Sequence, residues 1–328
     1  MKSKNCLTLC YKQAIKFLIR FYIGVEGNLN ISNNDKKAYY ANSIIGIAGG
    51  YSAYKYIPQY IRKPFGKYYS NKFETISSFE NNQYWDSAIQ AFRNSKVFNP
   101  KLEIIDINET NWERIADNII QKRKNAFQSN RKQNPLKKFL AKILSPSDEV
   151  YRNKIKTMAM GRNACFIPFT SQILVNKEKM GITTFHEIGH AINRYGKGIR
   201  KILAKSRAIS FFALPAVLGI GLVTPKREEG NEYKNPIGKT ATFIKEHCGL
   251  LAGLSLLPII IEEGVASING AQLAKKVLDK NMYKKLNKYN AMAFSSYVLG
   301  AITVGLGSAI AVYIKDKVSG TAPVRNKN

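Results

Sequence analysis

The chain has 328 residues, room for about two domains, and carries 51 Lys and Arg against 22 Asp and Glu, a net charge of +29. Its four cysteines, Cys6, Cys10, Cys165 and Cys248, are scattered, which argues against a disulfide framework or a Cys-type zinc module. The basic residues gather beside apolar runs and no nucleic-acid motif is present, so the charge reads as contact with anionic lipid and no nucleic-acid partner is expected.

In chain order, residues 7–23 mix Leu7, Leu9, Ile15, Leu18, Ile19 and Phe21 with Lys12, Lys16 and Arg20. The charges interrupt any leader core, so the pattern predicts an amphipathic surface helix. Ala38 to Tyr54 is uncharged and rich in Gly, Ser and Tyr; a span, a membrane-surface segment and a packed hairpin all stay open. Residues 58–160 are polar, with helical stretches near Trp85 to Phe92 and Trp112 to Lys124, and the run Gln121 to Lys142 has many basic residues and no acidic one. The expected organisation is a basic N-terminal segment (1–60), a basic, mostly helical region (61–160) and a C-terminal domain (161–328).

Cys165 to Phe169 and Gln172 to Asn176 are short bulky runs separated by Thr-Ser, as in a small hairpin whose edge could hold an extended peptide. Thr183 and Thr184 are placed to cap the next helix, and Gly196 and Gly198 to end it. That helix carries His186-Glu187-Ile188-Gly189-His190, two of the three histidines in the chain. At 3.6 residues per turn the two imidazoles project from one face and can reach one ion, with Glu187 beside them as a proton acceptor for an activated water. This is the arrangement of a zinc hydrolase.

A catalytic zinc needs a third protein ligand. Glu263, in Ile259-Ile260-Ile261-Glu262-Glu263-Gly264, is the best candidate, because adjacent carboxylates after an apolar run are costly without a cation. Glu262 remains an alternative, and since neighbouring helix residues point about 100° apart, one of the two is expected to face the metal. His247 is a weaker candidate; on one continuous helix it would lie on the order of 24 Å from Glu263.

Three apolar runs follow the histidine helix: 208–223, 243–261 and 289–314. The last is uncharged between Lys288 and Lys315, and the three together predict a multi-pass membrane protein. Lys197, Arg200, Lys201, Lys205 and Arg207 precede the first run, and Lys275, Lys276, Lys280, Lys284, Lys285 and Lys288 follow the second. The positive-inside rule places both flanks in the cytoplasm, which returns Glu263 to the membrane face of the His186 helix. Pro215 and Pro258 fall inside runs and predict kinks or partial spans.

His186-Glu187-Ile188-Gly189-His190-Ala191-Ile192 followed by Glu263-Gly264-Val265-Ala266-Ser267 resembles the membrane-embedded gluzincins: HtpX-type heat-shock proteases, CAAX prenyl proteases and, above all, YugP-like neutral zinc peptidases. In those families the third ligand is the Glu of Glu-x-x-Ala-Asp or Glu-x-x-Ala-Ser. Ser267 departs from the Asp form and matches the Ser form. Asn163 to Pro168 and Gln172 to Asn176 are similar to the strands before the family's zinc helix, so the resemblance covers about residues 161–270.

The resemblance implies a mainly α, multi-pass membrane protein with a small β-hairpin beside the zinc helix, a gluzincin-like catalytic core. It implies one Zn2+ per chain on His186, His190 and Glu263, with Glu187 as the catalytic base. The expected activity is a membrane-integrated zinc-dependent endopeptidase acting on peptide or membrane-protein substrates, in the cell (inner) membrane with its site toward the cytoplasm. The alternatives are an inactive metallopeptidase-like scaffold and a basic protein that binds anionic lipid.

Overall fold

The computed structural model describes residues 33–73, 76–96, 99–129, 147–227, 233 and 235–322. The helices are α1 (Asn33–Phe73), α2 (Ser78–Arg93), α3 (Trp112–Ser129), α4 (Asp148–Ala159), α5 (Lys177–Met180), α6 (Thr184–Tyr195), α7 (Ile199–Val223), α8 (Pro236–Glu246), α9 (Cys248–Leu254), α10 (Leu257–Ala274) and α11 (Lys280–Ser319). The strands are β1 (Glu103–Asp106), β2 (Cys165–Ile167) and β3 (Gln172–Val175). The described residues are thus mainly helical with one small sheet. The described residues fall into two compact units: one from Ser70–Lys205 and Ile261–Phe294, the other from the described parts of Thr8–Tyr69, Ser206–Ile260 and Ser295–Asn328.

In the first unit β3 is the central strand, antiparallel to β2 and parallel to β1. The hairpin expected from residues 165–176 is present. Its parallel partner β1 was not expected, because Glu103-Ile104-Ile105-Asp106 shows little alternation and parallel pairing joins segments far apart in sequence. β3 is buried on both faces, and its two-residue period sorts the packing. Ile173 and Val175 join the core of Tyr84, Phe92, Phe185 and Ile188, whereas Leu174 joins that of Ile119, Ile155 and Met158 from α3 and α4.

α2 starts with a capping box, Ser77 accepting from Glu80 N at 3.2 Å while Glu80 accepts from Ser77 N at 3.2 Å. Glu80 also pairs with Lys285, and chiefly that hydrogen bond holds its carboxyl below the usual glutamate range. The buried face of α2, Asn81, Tyr84, Trp85, Ala88, Ala91 and Phe92, has helical period and lies against the entrance to α6. There Asn81 Oδ1 accepts from Ile182 N at 3.1 Å, and Tyr84 donates to the Met282 carbonyl at 2.8 Å.

Three helical segments are long and apolar enough to cross a membrane, Ile199–Val223, Cys248–Ala274 and Lys280–Ser319; the expected runs 208–223 and 289–314 lie within the first and the last, and 243–261 overlaps the second only from Cys248. Only 28%, 22% and 44% of their apolar windows are buried, and Phe211, Leu250, Ile302 and Leu306 stand outward. Side chains of that kind fit a hydrocarbon surround. The run expected as one span at 243–261 is divided: α8 ends at Glu246, α9 at Leu254, and α10 starts at Leu257. Pro258 accounts for the second break, since it has no N–H to donate to the Leu254 carbonyl four residues back and its ring crowds that carbonyl. Pro215, by contrast, lies inside an unbroken α7.

Residues 38–54 are helical throughout α1, so the hairpin alternative falls. In the second unit Leu218, Leu222 and Ala311 form a core with Tyr51 and Tyr54 against it. The surface helix expected at 7–23 lies outside the described residues, as do residues 130–142 of the basic run.

Candidate metal centre

α6 grows directly out of a 3-10 turn, Gly181–Thr183. Thr183 occupies the N-cap position but makes no side-chain cap; its hydroxyl donates to the Met180 carbonyl at 2.7 Å. The expected threonine cap is therefore absent, because Thr183 continues the 3-10 turn with helical backbone (φ −73°, ψ −14°) where a capping residue needs an extended one. Gly196 closes the helix as expected. The two histidines between these ends face α10, whereas Glu187 turns toward β2.

Two glycines let α6 and α10 approach backbone to backbone. A Cβ on Gly189 would collide with the Ala266 carbonyl, and one on Gly270 with the Phe185 carbonyl. This close approach brings the α10 carboxylates to the imidazoles. Gly189→Ala should therefore force the helices apart and destabilise the unit by about 3 kcal/mol, the upper end of the usual overpacking cost. Gly264→Ala, whose Cβ meets only the Phe294 ring at 3.1 Å, should cost much less. Thermal unfolding of the two variants in detergent checks the contrast.

His186 Nε2, His190 Nε2 and Glu263 Oε2 form a triangle with edges of 3.0, 3.1 and 3.3 Å. The rings stand nearly perpendicular, 88° apart. Behind them, His186 Nδ1 lies 3.0 Å from Ser267 Oγ, and His190 Nδ1–H donates to Glu262 Oε1 at 2.9 Å. Asn193 Nδ2 donates to the same Glu262 oxygen at 3.1 Å, and Asn269 Nδ2 donates to Asn193 Oδ1 at 2.7 Å. Glu262 and Glu263 thus serve different nitrogens of His190, as expected of neighbours that point apart.

Glu187 is buried, and its Oε2 accepts the Phe166 N–H of β2 at 2.7 Å. Its ligand atom lies within 4.8 Å of those of both histidines. Burial works against a charged His190, but hydrogen bonds to Glu262 and Glu263 and the field of Glu187 outweigh it and raise its pKa to about 10.

This donor set fits a metal ion. Ligand atoms about 2.0–2.1 Å from a tetrahedral ion lie roughly 3.3 Å apart, close to the observed edges. Three buried carboxylates in one cluster also favour a cation. Among the described residues the candidate groups are His186, Glu187 and His190, and His190, Glu262 and Glu263; His247 belongs to neither. It stacks on Phe243 at 4.4 Å between ring centres and stays exposed.

The spacing reading did not identify Asn193, Asn269, the Phe166 N–H, Gly189 or Gly270 as parts of this site. A signal for the glycines was present: Gly189 lies between the two histidines, and Ala266 and Gly270 are small residues four apart on α10. The Asn193–Asn269 contact had no sequence signal. Scans against protein-family models, curated proteins and solved structures each find no match to the chain.

Proposed function

We propose that the protein is a membrane-integrated, zinc-dependent endopeptidase with a gluzincin-like core and its site on the cytoplasmic face. The observation that carries this reading is the buried triangle of His186 Nε2, His190 Nε2 and Glu263 Oε2 with Glu187 beside it. His186, His190 and Glu263 would hold one zinc ion, with Ser267 and Glu262 orienting the two rings. Bound there, zinc would lower the pKa of a water and polarise the scissile carbonyl.

The chain's own groups supply the rest. Glu187 takes the proton of the attacking water and passes it to the leaving amine. The Phe166 N–H, donated to one oxygen of Glu187, fixes that carboxylate. β2 is an edge strand, so an extended substrate would lie along it beside Glu187, pairing with main-chain groups other than the Phe166 N–H that Glu187 holds. The basic flanks 197–207 and 275–288 support a cytoplasmic site. Peptide segments of membrane proteins are the substrates this placement favours.

The test is zinc per chain in detergent-purified protein, with hydrolysis of an unfolded polypeptide. We expect one zinc, cleavage lost to a chelator and cleavage restored by zinc. Zinc without cleavage would favour the inactive scaffold. No zinc in folded protein, even after adding it back, would favour the basic lipid-binding reading.

A further inference from the structure

The second unit contains a cavity of about 780 Å³ at the ends of α7, α8, α9 and α11, a volume in the range of small-molecule sites. We propose that it binds the phosphate of an anionic phospholipid headgroup. The proposal is independent of the metal site. Lys226, Arg227, Lys239 and Lys245 line the cavity, against Glu246 and Asp316.

Around Asp316, in the wall, positive charge is in surplus. Lys245 Nζ lies 2.9 Å from Asp316 Oδ2, and Lys315 Nζ lies 2.6 Å from Asp316 Oδ1. One carboxylate therefore answers two ammonium groups whose side chains are only 10% and 3% exposed. Their other acceptors are neutral carbonyls, Pro225 O at 3.1 Å for Lys245 and Thr224 O at 2.5 Å for Lys315. A buried charge without a full counter-charge is costly, and an anion in the cavity offsets that cost.

The surroundings identify the anion as lipid. The apolar part of α7 ends at Val223, α9 begins at Cys248, and the uncharged run of α11 ends at Ile314, so the cavity lies where three apolar segments stop. Phe243 and Tyr313 line it and are 53% and 61% exposed. Aromatic rings beside a basic pocket are characteristic of headgroup depth. The rim is held in place: Lys226 bridges Thr321, and Ala322 N donates to the Lys226 carbonyl at 2.7 Å.

The full chain in neutral detergent, titrated with dioctanoyl phosphatidylglycerol and read by native mass spectrometry, tests this. One lipid should bind per chain. Lys226→Gln with Lys239→Gln should weaken binding about 25-fold, about fivefold for each cation, which corresponds to roughly 1 kcal/mol per basic residue. Lys201→Gln with Lys205→Gln changes the charge equally outside the cavity and should leave binding unchanged. Thermal unfolding confirms that each variant is folded. Equal effects of the two pairs, or no effect of the first, would overturn the proposal. Displacement of the lipid by inorganic phosphate at matched concentration would also overturn it, assigning the cavity to a soluble anion.

Discussion

Glu187→Gln should retain one zinc per chain yet hydrolyse peptides about 10²–10⁴-fold more slowly, the usual contribution of a positioned general base. The substitution is unusually clean here. The Glu187 oxygen that accepts the Phe166 N–H has a counterpart in the glutamine carbonyl, so the tie between α6 and β2 survives. Glu187 stands outside the triangle of His186, His190 and Glu263, so the proposed metal ligands are untouched. What disappears is the capacity to take a proton. Metal content by mass spectrometry and hydrolysis of a fluorogenic peptide are the paired readouts; unchanged hydrolysis, with contaminating proteases excluded, would refute the role of Glu187.

Glu263→Ala and Glu262→Ala should separate sharply although the residues are adjacent. Glu263 offers its oxygen to both Nε2 atoms, so its removal takes away a proposed ligand and should abolish zinc retention through purification. Glu262 meets the far nitrogen of His190, with Asn193 holding the same oxygen. Its loss should leave zinc bound but weaken affinity about 10–100-fold, the cost of losing an orienting partner. Equilibrium competition with a chromophoric chelator measures both. Equal loss in the two variants would mean that the carboxylates share the ion, contrary to the geometry.

Ser267 shows how a local pattern and a folded site divide the information. The sequence raises doubt about an orienting carboxylate at that position, because Ser stands where related patterns carry Asp. In the structure Ser267 meets His186 Nδ1, and the orienting carboxylate is Glu262, on the other histidine. The identity of residue 267 was visible, but its partner depended on how α10 is rotated against α6.

The sequence by itself determined the features set by short-range periodicity and local charge. It located the histidine helix and the β2–β3 hairpin, and it marked the three apolar runs, because side chains at helical or strand spacing carry their own signal. Tertiary structure decided the features that depend on contacts between distant segments. Those include the pairing of β1 with β3. They also include the assignment of Glu262 and Glu263 to opposite nitrogens of His190, which Gly189 and Gly270 permit by letting two backbones touch. No local pattern specifies such contacts, since they arise only when the chain closes on itself and steric fit chooses among the rotations that hydrophobic spacing allows.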